Sequence, residues 1–305
     1  MLLKRLGISV LVAGALGVLA WYYAPARLTV LVLLGRSPEC PWREAIRAAR
    51  NERDQTAVKD RILSASRLIQ KDERGFELWD TPKGQFWIPK GNQWVLPFNL
   101  AEQERGIYFT ATNTVGPGDV VLDCGANVGV FTRECLRRGA RLVVAIEPAP
   151  ENVECLRRNF AVEEAAGRVR VYPKGVWDRE DFLEMNVDPE NSAADSFLIE
   201  RPGSQKIAKV PLTTIDLLVA ELMLERVDFI KMDIEGAELK ALEGARQTIA
   251  RFRPKLSISA YHAPDHPRRI PELVRAAYPG YHTECGFCAE VEHRVRPDIL
   301  YFYLK

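Results

Sequence analysis

The chain has 305 residues, of which 47% are hydrophobic and 27% are charged, as in ordinary globular proteins. This composition excludes a disordered or collagen-like chain, and the length allows one large domain or two small ones. Lys and Arg number 42 against 41 for Asp and Glu, which leaves a net charge of +1. A protein that binds nucleic acid through its phosphates normally carries a basic excess, so the charge argues against that class.

The first predicted element is strongly apolar. The 18 residues from Leu6 to Tyr23 contain no charge and no proline. As a helix they would be about 27 Å long, enough to cross a bilayer core. We predict an uncleaved single-pass anchor here; the alternatives are a cleaved signal peptide that ends at Ala24-Pro25-Ala26 and a helix buried in a core. The flanking basic residues weakly favour a cytosolic location for the rest of the chain.

An Arg- and Ala-rich helix is predicted next, from Trp42 to Gln70, because apolar residues recur along one face. Its basic side either contacts anionic lipid headgroups or is a solvated helix face. Residues 76–89 contain two aromatic-rich runs around Thr81-Pro82-Lys83-Gly84, which predict a β-hairpin. Another helix is predicted near Leu100 to Phe109.

From Gly116 onward, short β-branched runs alternate with helical segments. The predicted strands lie at 120–123, 143–148, 169–173, 227–233, 255–261 and 299–304, with helices from about Val128, Pro150 and Gly236. Continuous apolar strands between helices are typical of a parallel sheet that is covered on both faces. We therefore predict an α/β fold with a doubly wound, mostly parallel sheet. The predicted regions are an anchor and juxtamembrane segment at 1–35, an Arg-rich helical stalk at 36–75 and one domain at 76–305.

A glycine-rich turn follows the first of these strands. In Asp123-Cys124-Gly125-Ala126-Asn127-Val128-Gly129, the glycines allow the backbone to approach a ligand closely. The spacing G-x-N-x-G differs from the G-x-G-x-x-G that binds a dinucleotide, which disfavours a nicotinamide cofactor. Glu147 ends the next strand, where a carboxylate can accept two hydrogen bonds from a ribose diol. Each feature alone also fits a structural role, but together they predict a nucleoside site.

Charged residues gather at the end of the fourth strand. Lys231 and Asp233 lie on one side of it, and a lysine in a central strand needs a charged partner, so a structural salt bridge is one interpretation. In the other interpretation Asp233, His262 or a Lys231 with a lowered pKa accepts the proton of a hydroxyl nucleophile. Asp233, Glu235 and His262 could also hold a divalent cation, although no spacing compels one.

These motifs resemble a known family. VVLDCGANVGVFT and VVAIEPAPENVECLRRNF are similar to the first two motifs of class I S-adenosylmethionine-dependent methyltransferases. Residues 227–238, which contain K-x-D-x-E-G-x-E, resemble the signature of the FkbM family. The resemblance runs from about Phe76 to Lys305. It implies a seven-stranded Rossmann-like methyltransferase sheet, S-adenosylmethionine as the cofactor, and O-methylation of a hydroxyl on a sugar, a glycolipid or a small natural product.

The resemblance also implies a role for each motif residue. The predicted cofactor-binding residues are Asp123, Gly125, Asn127, Gly129, Glu147 and Asp178. The glycines would lie against the methionine part of the cofactor, Asp123 would orient its amino group and Glu147 would hold the ribose. Asp178 is a candidate for the adenine amino group, although a turn aspartate fits equally well. The predicted catalytic residues are Asp233, His262, Lys231 and Glu235.

Six cysteines do not suggest a secreted disulfide framework in a chain of this length. Cys285 and Cys288 have the C-x-x-C spacing of redox and metal sites, but no second pair exists, so we favour structural thiols. The segment 191–197 lies before the fourth strand and is predicted to form a lid or a substrate wall.

The sequence as a whole predicts a membrane-anchored, S-adenosylmethionine-dependent methyltransferase. Its acceptor would be a hydroxyl on a small molecule, a glycan or a lipid-linked group, and no nucleic acid would be involved. The alternative is a non-catalytic, cofactor-binding scaffold or assembly factor that is tethered to a membrane.

Overall fold

A computed structural model gives the structure, and it describes residues 22–188, 191–200 and 203–305. The helices of these residues are α1 (Ala24–Leu33), α2 (Trp42–Ser64), α3 (Val95–Arg105), α4 (Val130–Arg137), α5 (Pro150–Asn159), α6 (Ala161–Ala165), α7 (Ile215–Glu221), α8 (Glu238–Glu243), α9 (Arg246–Phe252) and α10 (His266–Ala277). The strands are β1 (Arg67–Lys71), β2 (Glu77–Thr81), β3 (Gly84–Ile88), β4 (Val120–Cys124), β5 (Leu142–Ile146), β6 (Val169–Tyr172), β7 (Gly175–Val176), β8 (Asp181–Val187), β9 (Gln205–Thr213), β10 (Phe229–Met232), β11 (Lys255–Ser259), β12 (His282–Val291) and β13 (Arg294–Tyr303). They form three sheets.

The largest sheet has seven strands in the order β12-β13-β11-β10-β4-β5-β6. The strands from β11 to β6 are parallel, and β13 is antiparallel to both of its neighbours. Successive side chains of a strand enter different apolar clusters, with Leu122 and Ile230 on one face and Val121 and Phe229 on the other. Both faces are therefore buried. The predicted α/β fold with a large, mostly parallel sheet is confirmed.

The six predicted strands are all present in this sheet, but the seventh, β12, is absent from the sequence prediction. Most of its residues are only partly buried, and its sequence HTECGFCAEV lacks a clean alternation of apolar and polar residues. A strand at the edge of a sheet buries less of each side chain, so its sequence carries a weaker signal. The smaller sheet β7-β9-β8 is likewise not predicted.

The order of the strands determines where a ligand can bind. The chain winds from β4 outward to β5 and β6, and it then returns to the other side of β4 to form β10 and β11. A crevice opens at such a reversal, beyond the carboxyl ends of the strands. Asp123 and Cys124 pair with Lys231 and Met232 there, which brings the glycine-rich turn next to Asp233.

The elements before the large sheet agree with the prediction in part. The predicted hairpin is present as β2 and β3, and β1 pairs with β2 to make a third strand. The predicted long helix ends at Ser64, because the residues from Arg67 onward pair with β2 instead. Such pairing overrides local helix preference. The next helix covers Val95–Arg105, which is earlier than predicted.

The helix α2 is in contact with the body of the protein. The side chain of Gln55 donates to the carbonyl oxygen of Phe98 at 3.0 Å and accepts from Arg105 at 2.9 Å. Asn51 donates to the carbonyl oxygen of Cys288 in β12 at 3.4 Å. The division of the chain into regions at 1–35, 36–75 and 76–305 stays a prediction.

The predicted anchor, Leu6 to Tyr23, lies almost entirely outside the described residues. Among the residues that the structure does describe, no helix combines the length and the apolar character that a membrane span requires. The predicted localisation, a single-pass anchor with a cytosolic catalytic domain, is therefore corrected. In α1, Leu28 and Leu31 are fully buried, and they pack in a cluster with Cys40 and Val295.

Cys288 forms a disulfide with Cys40, so the interpretation of the C-x-x-C pair as two structural thiols is wrong for Cys288. Cys285 keeps a free thiol. The partner of Cys288 lies 248 positions away, and only the packing of residue 40 against β12 brings the two together. No spacing rule could have identified this pair.

Candidate active site

A cavity of about 500 Å³ opens at the carboxyl ends of β4, β5 and β10. This volume is in the range of small-molecule sites. The predicted residues that line it are Gly125, Asn127, Glu147, Lys231, Asp233 and Glu235. The predicted residues that do not line it are Asp123, Gly129, Asp178 and His262. The ends of three predicted strands thus meet at one cavity, and the roles of the individual residues stay predictions.

The turn after β4 and the turn after β10 pack tightly against each other at Gly125. This residue has a φ of +77°, and a Cβ atom at this position would lie 1.9 Å from the carbonyl oxygen of Asp233. Only glycine fits, and the turn after β4 therefore touches the turn after β10. Two non-glycine residues of these turns, Asn127 and Glu235, also have left-handed φ values, +50° and +52°. Backbone strain of this kind concentrates at functional sites.

Gly129 is required for a different reason. A Cβ atom there would lie 2.1 Å from the ring of Phe160, so this glycine allows the start of α4 to pack against the end of α5. It does not line the cavity, although the next residue, Val130, does. The structure gives it a packing role, and its predicted contact with the methionine part of a cofactor stays untested.

Asp123 and Lys231 form a buried pair beneath the cavity. The carboxylate of Asp123 is fully buried; it accepts a hydrogen bond from Thr132 at 2.7 Å, and its other oxygen lies 3.4 Å from Lys231 Nζ. Burial raises the pKa of Asp123, and the charge of Lys231 opposes this shift. The ammonium group of Lys231 also donates to the carbonyl oxygen of Gly125 at 2.7 Å.

The pKa of Lys231 decides between its two predicted roles. Burial lowers this pKa, but the carboxylates of Asp123 and Asp233 outweigh burial and hold it above its ordinary value. Lys231 therefore remains an ammonium ion at neutral pH. This direction agrees with the salt-bridge interpretation and not with a Lys231 base of lowered pKa. The catalytic role of Lys231 stays a prediction.

Glu147 faces the cavity at the end of β5. One carboxylate oxygen accepts from the backbone N–H of Asn127 at 2.8 Å, and the other accepts from that of Ala149 at 3.0 Å. Burial raises the pKa of Glu147, and these two backbone donors oppose the shift. The oxygen that accepts from Ala149 also accepts from Asn152 Nδ2 at 3.5 Å, so only the oxygen that accepts from Asn127 keeps a lone pair for a further hydrogen bond from a ligand. The predicted contact of Glu147 with a ribose stays a prediction.

Asp178 does not line the cavity, and its carboxylate is paired with two cations elsewhere. Its carboxylate accepts from Lys240 at 2.7 Å and from Arg179 at 3.2 Å. The structure therefore agrees with a turn aspartate that pairs with neighbouring cations. Val176, two residues earlier, does line the cavity.

Asp233 is held as a carboxylate at the cavity wall. Tyr108, which the sequence analysis did not identify, donates its hydroxyl hydrogen to Asp233 Oδ2 at 2.7 Å. Burial raises the pKa of Asp233, but the charges of Lys231 and His262 together with this hydrogen bond hold it below its ordinary value. Asp233 is therefore a weak base that already accepts one hydrogen bond.

His262 lies behind Asp233 among three carboxylates. Its Nδ1 is 2.8 Å from Glu238 Oε1, and its Nε2 is 3.4 Å from Glu235 Oε1 and 3.6 Å from Asp233 Oδ1. Burial opposes protonation, but Glu238 and Glu235 outweigh it and raise the pKa of His262 well above its ordinary value. A protonated imidazole has no lone pair to accept a proton. The raised pKa argues against His262 as the general base, and its catalytic role stays a prediction.

The sequence analysis also missed Glu102, on α3. This residue lines the cavity. Burial and the nearby charge of Asp233 raise the pKa of Glu102 well above its ordinary value. No motif marks this residue, because α3 reaches the cavity only through the packing of the folded chain.

The segment 191–197 forms one wall of the cavity, as predicted. The backbone N–H of Ser192 donates to Asn92 at 2.7 Å, and the hydroxyl of Ser196 donates to the carbonyl oxygen of Glu235 at 2.7 Å. Burial raises the pKa of Asp195, in this wall, to about 8. Hydrogen bonds thus hold this wall both to Asn92, before α3, and to the turn after β10.

The residues that could hold a cation differ from the predicted set. Asp233, Glu238 and His262 each offer a ligand atom within 4.8 Å of the others. The same carboxylates stabilise the protonated imidazole of His262. A metal ion at this position would therefore compete with that proton.

Comparison with known proteins identifies the family. Residues 123–287, more than half of the chain, match the model of the methyltransferase FkbM domain. The chain belongs to the FkbM methyltransferase family. This assignment confirms the predicted resemblance, and a methyltransferase of this family implies S-adenosylmethionine as the methyl donor.

Individual relatives of this FkbM-family chain are distant. It is 28% identical over 154 residues to methyltransferase sdnD of Sordaria araneosa, with 41% of this chain and 59% of that protein covered. It is 26% identical over 155 residues to 31-O-demethyl-FK506 methyltransferase FkbM of Streptomyces tacrolimicus, with 42% and 60% covered. The chain thus spans about three fifths of the length of these curated relatives. A crystal structure of methyltransferase FkbM from Methylobacillus flagellatus KT has 19% identity and a TM-score of 0.45, with 84% of this chain and 60% of that chain covered.

Proposed function

We propose that this FkbM-family chain is an S-adenosylmethionine-dependent methyltransferase that methylates a hydroxyl of a sugar, a glycolipid or a small natural product. The observation that carries the proposal is a shared space: Glu147 and Asp233, at the ends of β5 and β10, line the same cavity of about 500 Å³. A nucleoside group and a reacting hydroxyl could therefore lie side by side. One relative is named for methylation of a 31-O-demethyl compound, which supports an oxygen acceptor.

The residues present are suited to the cofactor. Glu147 keeps a free lone pair on one carboxylate oxygen for a ribose hydroxyl, and Gly125 lets the backbone of the turn approach the ligand without a side chain between them. S-adenosylmethionine, when bound, supplies an electrophilic methyl group on a sulfonium ion. The carboxylate of Asp233, which lines the same cavity, would accept a hydrogen bond from the incoming hydroxyl.

An alcohol must lose its proton as its oxygen takes the methyl group, so the site needs a base. Lys231 and His262 are cations, and Asp233 is a weak base that already accepts from Tyr108. Glu102 lines the same cavity and has a raised pKa, which makes it the stronger base. We assign proton acceptance to Glu102 and orientation of the hydroxyl to Asp233.

The mouth of the cavity favours an acceptor with an apolar surface. Trp94 is 60% exposed and Phe98 is 44% exposed, and both line the cavity at the start of α3. Exposed aromatic rings at a cavity mouth are suited to pack against the apolar face of a sugar ring or of a polycyclic compound. The near-neutral charge of the chain agrees with an uncharged acceptor.

The Glu147→Ala substitution tests the cofactor site. We expect the affinity for S-adenosylmethionine to fall at least about tenfold, because hydrogen bonds to a charged group are lost. Isothermal titration calorimetry on the full chain measures this affinity. Glu151→Ala, in the first turn of α5, is the control and should bind as the unaltered chain does, since Glu151 is exposed. Failure of the unaltered chain to bind S-adenosylmethionine would refute the proposal.

The Glu102→Gln substitution tests the base. We expect kcat to fall about a hundredfold or more while S-adenosylmethionine still binds. In the unaltered enzyme kcat/KM should rise as the pH rises through the pKa of Glu102, because only the carboxylate accepts a proton. That rise should be lost in the glutamine variant. Transfer of labelled methyl groups to hydroxyl acceptors in a cell extract provides the assay.

Three other outcomes of this assay would contradict parts of the proposal. Binding of the cofactor without transfer to any hydroxyl acceptor would favour a non-catalytic cofactor-binding scaffold. An unchanged pH profile in the glutamine variant would remove Glu102 as the base. Loss of activity on chelation, with recovery on addition of Mg²⁺, would assign the activation of the hydroxyl to a cation at Asp233, Glu238 and His262 instead.

A further inference from the structure

Three cysteines from distant parts of the chain meet at the outer edge of the large sheet. Cys40 precedes α2, and Cys285 and Cys288 lie in β12. The sulfur of Cys285 is 3.6 Å from that of Cys288 and 3.9 Å from that of Cys40. None of the three lines the cavity of the proposed methyltransferase site.

The backbone of β12 is distorted where it presents these sulfurs. In a regular strand, residues three positions apart point to opposite faces. Phe287, between the two cysteines, has a φ of +49°, which is rare for a bulky residue. This distortion turns Cys285 and Cys288 toward the same side, where Cys40 lies.

Two of the three distances between the sulfurs match those of a tetrahedral metal site, and the third is the disulfide bond between Cys40 and Cys288. Each Sγ lies within 4.8 Å of the other two. Zinc–sulfur bonds of about 2.3 Å in a tetrahedron place two sulfurs about 3.8 Å apart, close to the two separations between Cys285 and its neighbours. The C-x-x-C spacing of Cys285 and Cys288 is also the spacing of structural zinc sites.

The surroundings of Cys285 provide access and a favourable charge. Its thiol lines a second cavity, of about 830 Å³. The charged residues that line this cavity are Glu39, Glu44, Glu272, Glu284, Arg268 and Arg275, so carboxylates outnumber cations. A cation is therefore attracted to this side of the cluster, and water or a carboxylate has room to act as a fourth ligand.

We propose that the reduced cluster is a binding site for a thiophilic divalent cation such as Zn²⁺, ligated by Cys40, Cys285 and Cys288. The disulfide between Cys40 and Cys288 and the bound ion are then alternative states of one site. A phosphine reductant opens the disulfide to two thiols; it is oxidised to the phosphine oxide, and water supplies the oxygen and the two protons. Binding of the ion releases the thiol protons, because thiolates are the ligands.

The experiment uses the full chain and Co²⁺ as the probe. The chain is reduced with a water-soluble phosphine, freed of the reductant without oxygen and titrated with Co²⁺. We expect a thiolate-to-cobalt charge-transfer band that saturates at one ion per chain and disappears when Zn²⁺ is added. Oxygen and nitrogen ligands, such as those near Asp233, give no such band. The unreduced chain should give none either.

Two variants locate the site. Cys285→Ser should weaken Co²⁺ binding at least tenfold, since one of three thiolates is lost. Cys155→Ser, at a buried cysteine elsewhere, should bind as the unaltered chain does. A reduced chain that keeps its native circular dichroism but gives no band would overturn the proposal. So would a band of equal strength in the unreduced chain or in Cys285→Ser. If Cys285→Ser does not fold, Cys40→Ser gives the same comparison from the other end of the cluster.

Discussion

The crevice between β4 and β10 and the outer edge of the sheet at β12 are stabilised in different ways. In the crevice, charged groups are buried and neutralise one another: Lys231 between Asp123 and Asp233, and His262 between Glu238 and Glu235. At the outer edge, a partly exposed strand is held by apolar side chains of α1, a disulfide and the ion pair of Arg27 with Glu290.

This difference determines how each region should respond to substitution. A buried charge that loses its partner cannot reach water, so the crevice should be intolerant of change. A partly exposed ion pair is screened by solvent in both states, so the outer edge should be tolerant of the loss of a charge. The following substitutions test this contrast.

The largest effect is expected for Lys231→Met, which leaves Asp123 buried without its partner. We expect a loss of about 4 kcal/mol in the free energy of unfolding at neutral pH. Denaturant titrations at several pH values measure it. Without Lys231 the folded-state pKa of Asp123, already raised by burial, rises further above its unfolded value. The variant should therefore be least destabilised at low pH and should lose stability as the pH rises above about 4.

The control for this substitution is Lys240→Met, which removes a partly exposed partner of Asp178. We expect it to cost less than about 1 kcal/mol, with no added dependence on pH. Equal losses in the free energy of unfolding of the two variants would show that the buried pair stabilises the fold no more than an exposed pair does. The contrast between the two regions would then be wrong.

The next largest effect is expected for Gly125→Ala. The new Cβ would collide with the carbonyl oxygen of Asp233, and the alanine would have to adopt a left-handed φ. We therefore expect a loss of about 3 kcal/mol in the free energy of unfolding. Gly167→Ala is the matched control, because Gly167 has a φ of +69° and nothing within 4 Å of the added atom. It should cost only about 1 kcal/mol. Similar thermal midpoints for the two variants would contradict the close approach of the turns.

The smallest effect is expected at the outer edge. Arg27→Ala removes the pair with Glu290, whose side chains are 24% and 17% exposed, and should cost about 1 kcal/mol in the free energy of unfolding. Arg47→Ala removes a more exposed pair with Glu44 in α2 and should cost less than about 0.5 kcal/mol. A loss for Arg27→Ala as large as that for Lys231→Met would show that the outer edge is as intolerant as the crevice.

The sequence predicted the crevice better than the edge, because the crevice is built from local signals. The strand ends at Asp123, Glu147 and Asp233 and the glycine at 125 are each visible within a few residues of chain. The local sequence does not reveal the pKa values of the charged groups in the crevice. Lys231 and His262 keep their protons because carboxylates from other elements surround them, and this depends on packing.

Other features depend wholly on contacts between distant residues. Tyr108 and Glu102 reach the cavity from α3 and the residues that follow it, with no motif to mark them. Cys40 meets β12 across 248 positions. The strand β12 itself has too weak a pattern to be predicted, since only its pairing with β13 makes it a strand.

The position of α2 bears on the solubility of the protein. Within the described part of the chain, β12 has β13 on one side and no strand on the other, and such an edge can pair with the backbone of another chain. The helix α2 lies against β12, and the side chain of Asn51 donates a hydrogen bond to the carbonyl oxygen of Cys288. Removal of α2 would leave this edge open, and we expect the shortened protein to aggregate through strand-to-strand pairing even if its cavity were intact. The Arg-rich helix thus covers the open edge of the sheet.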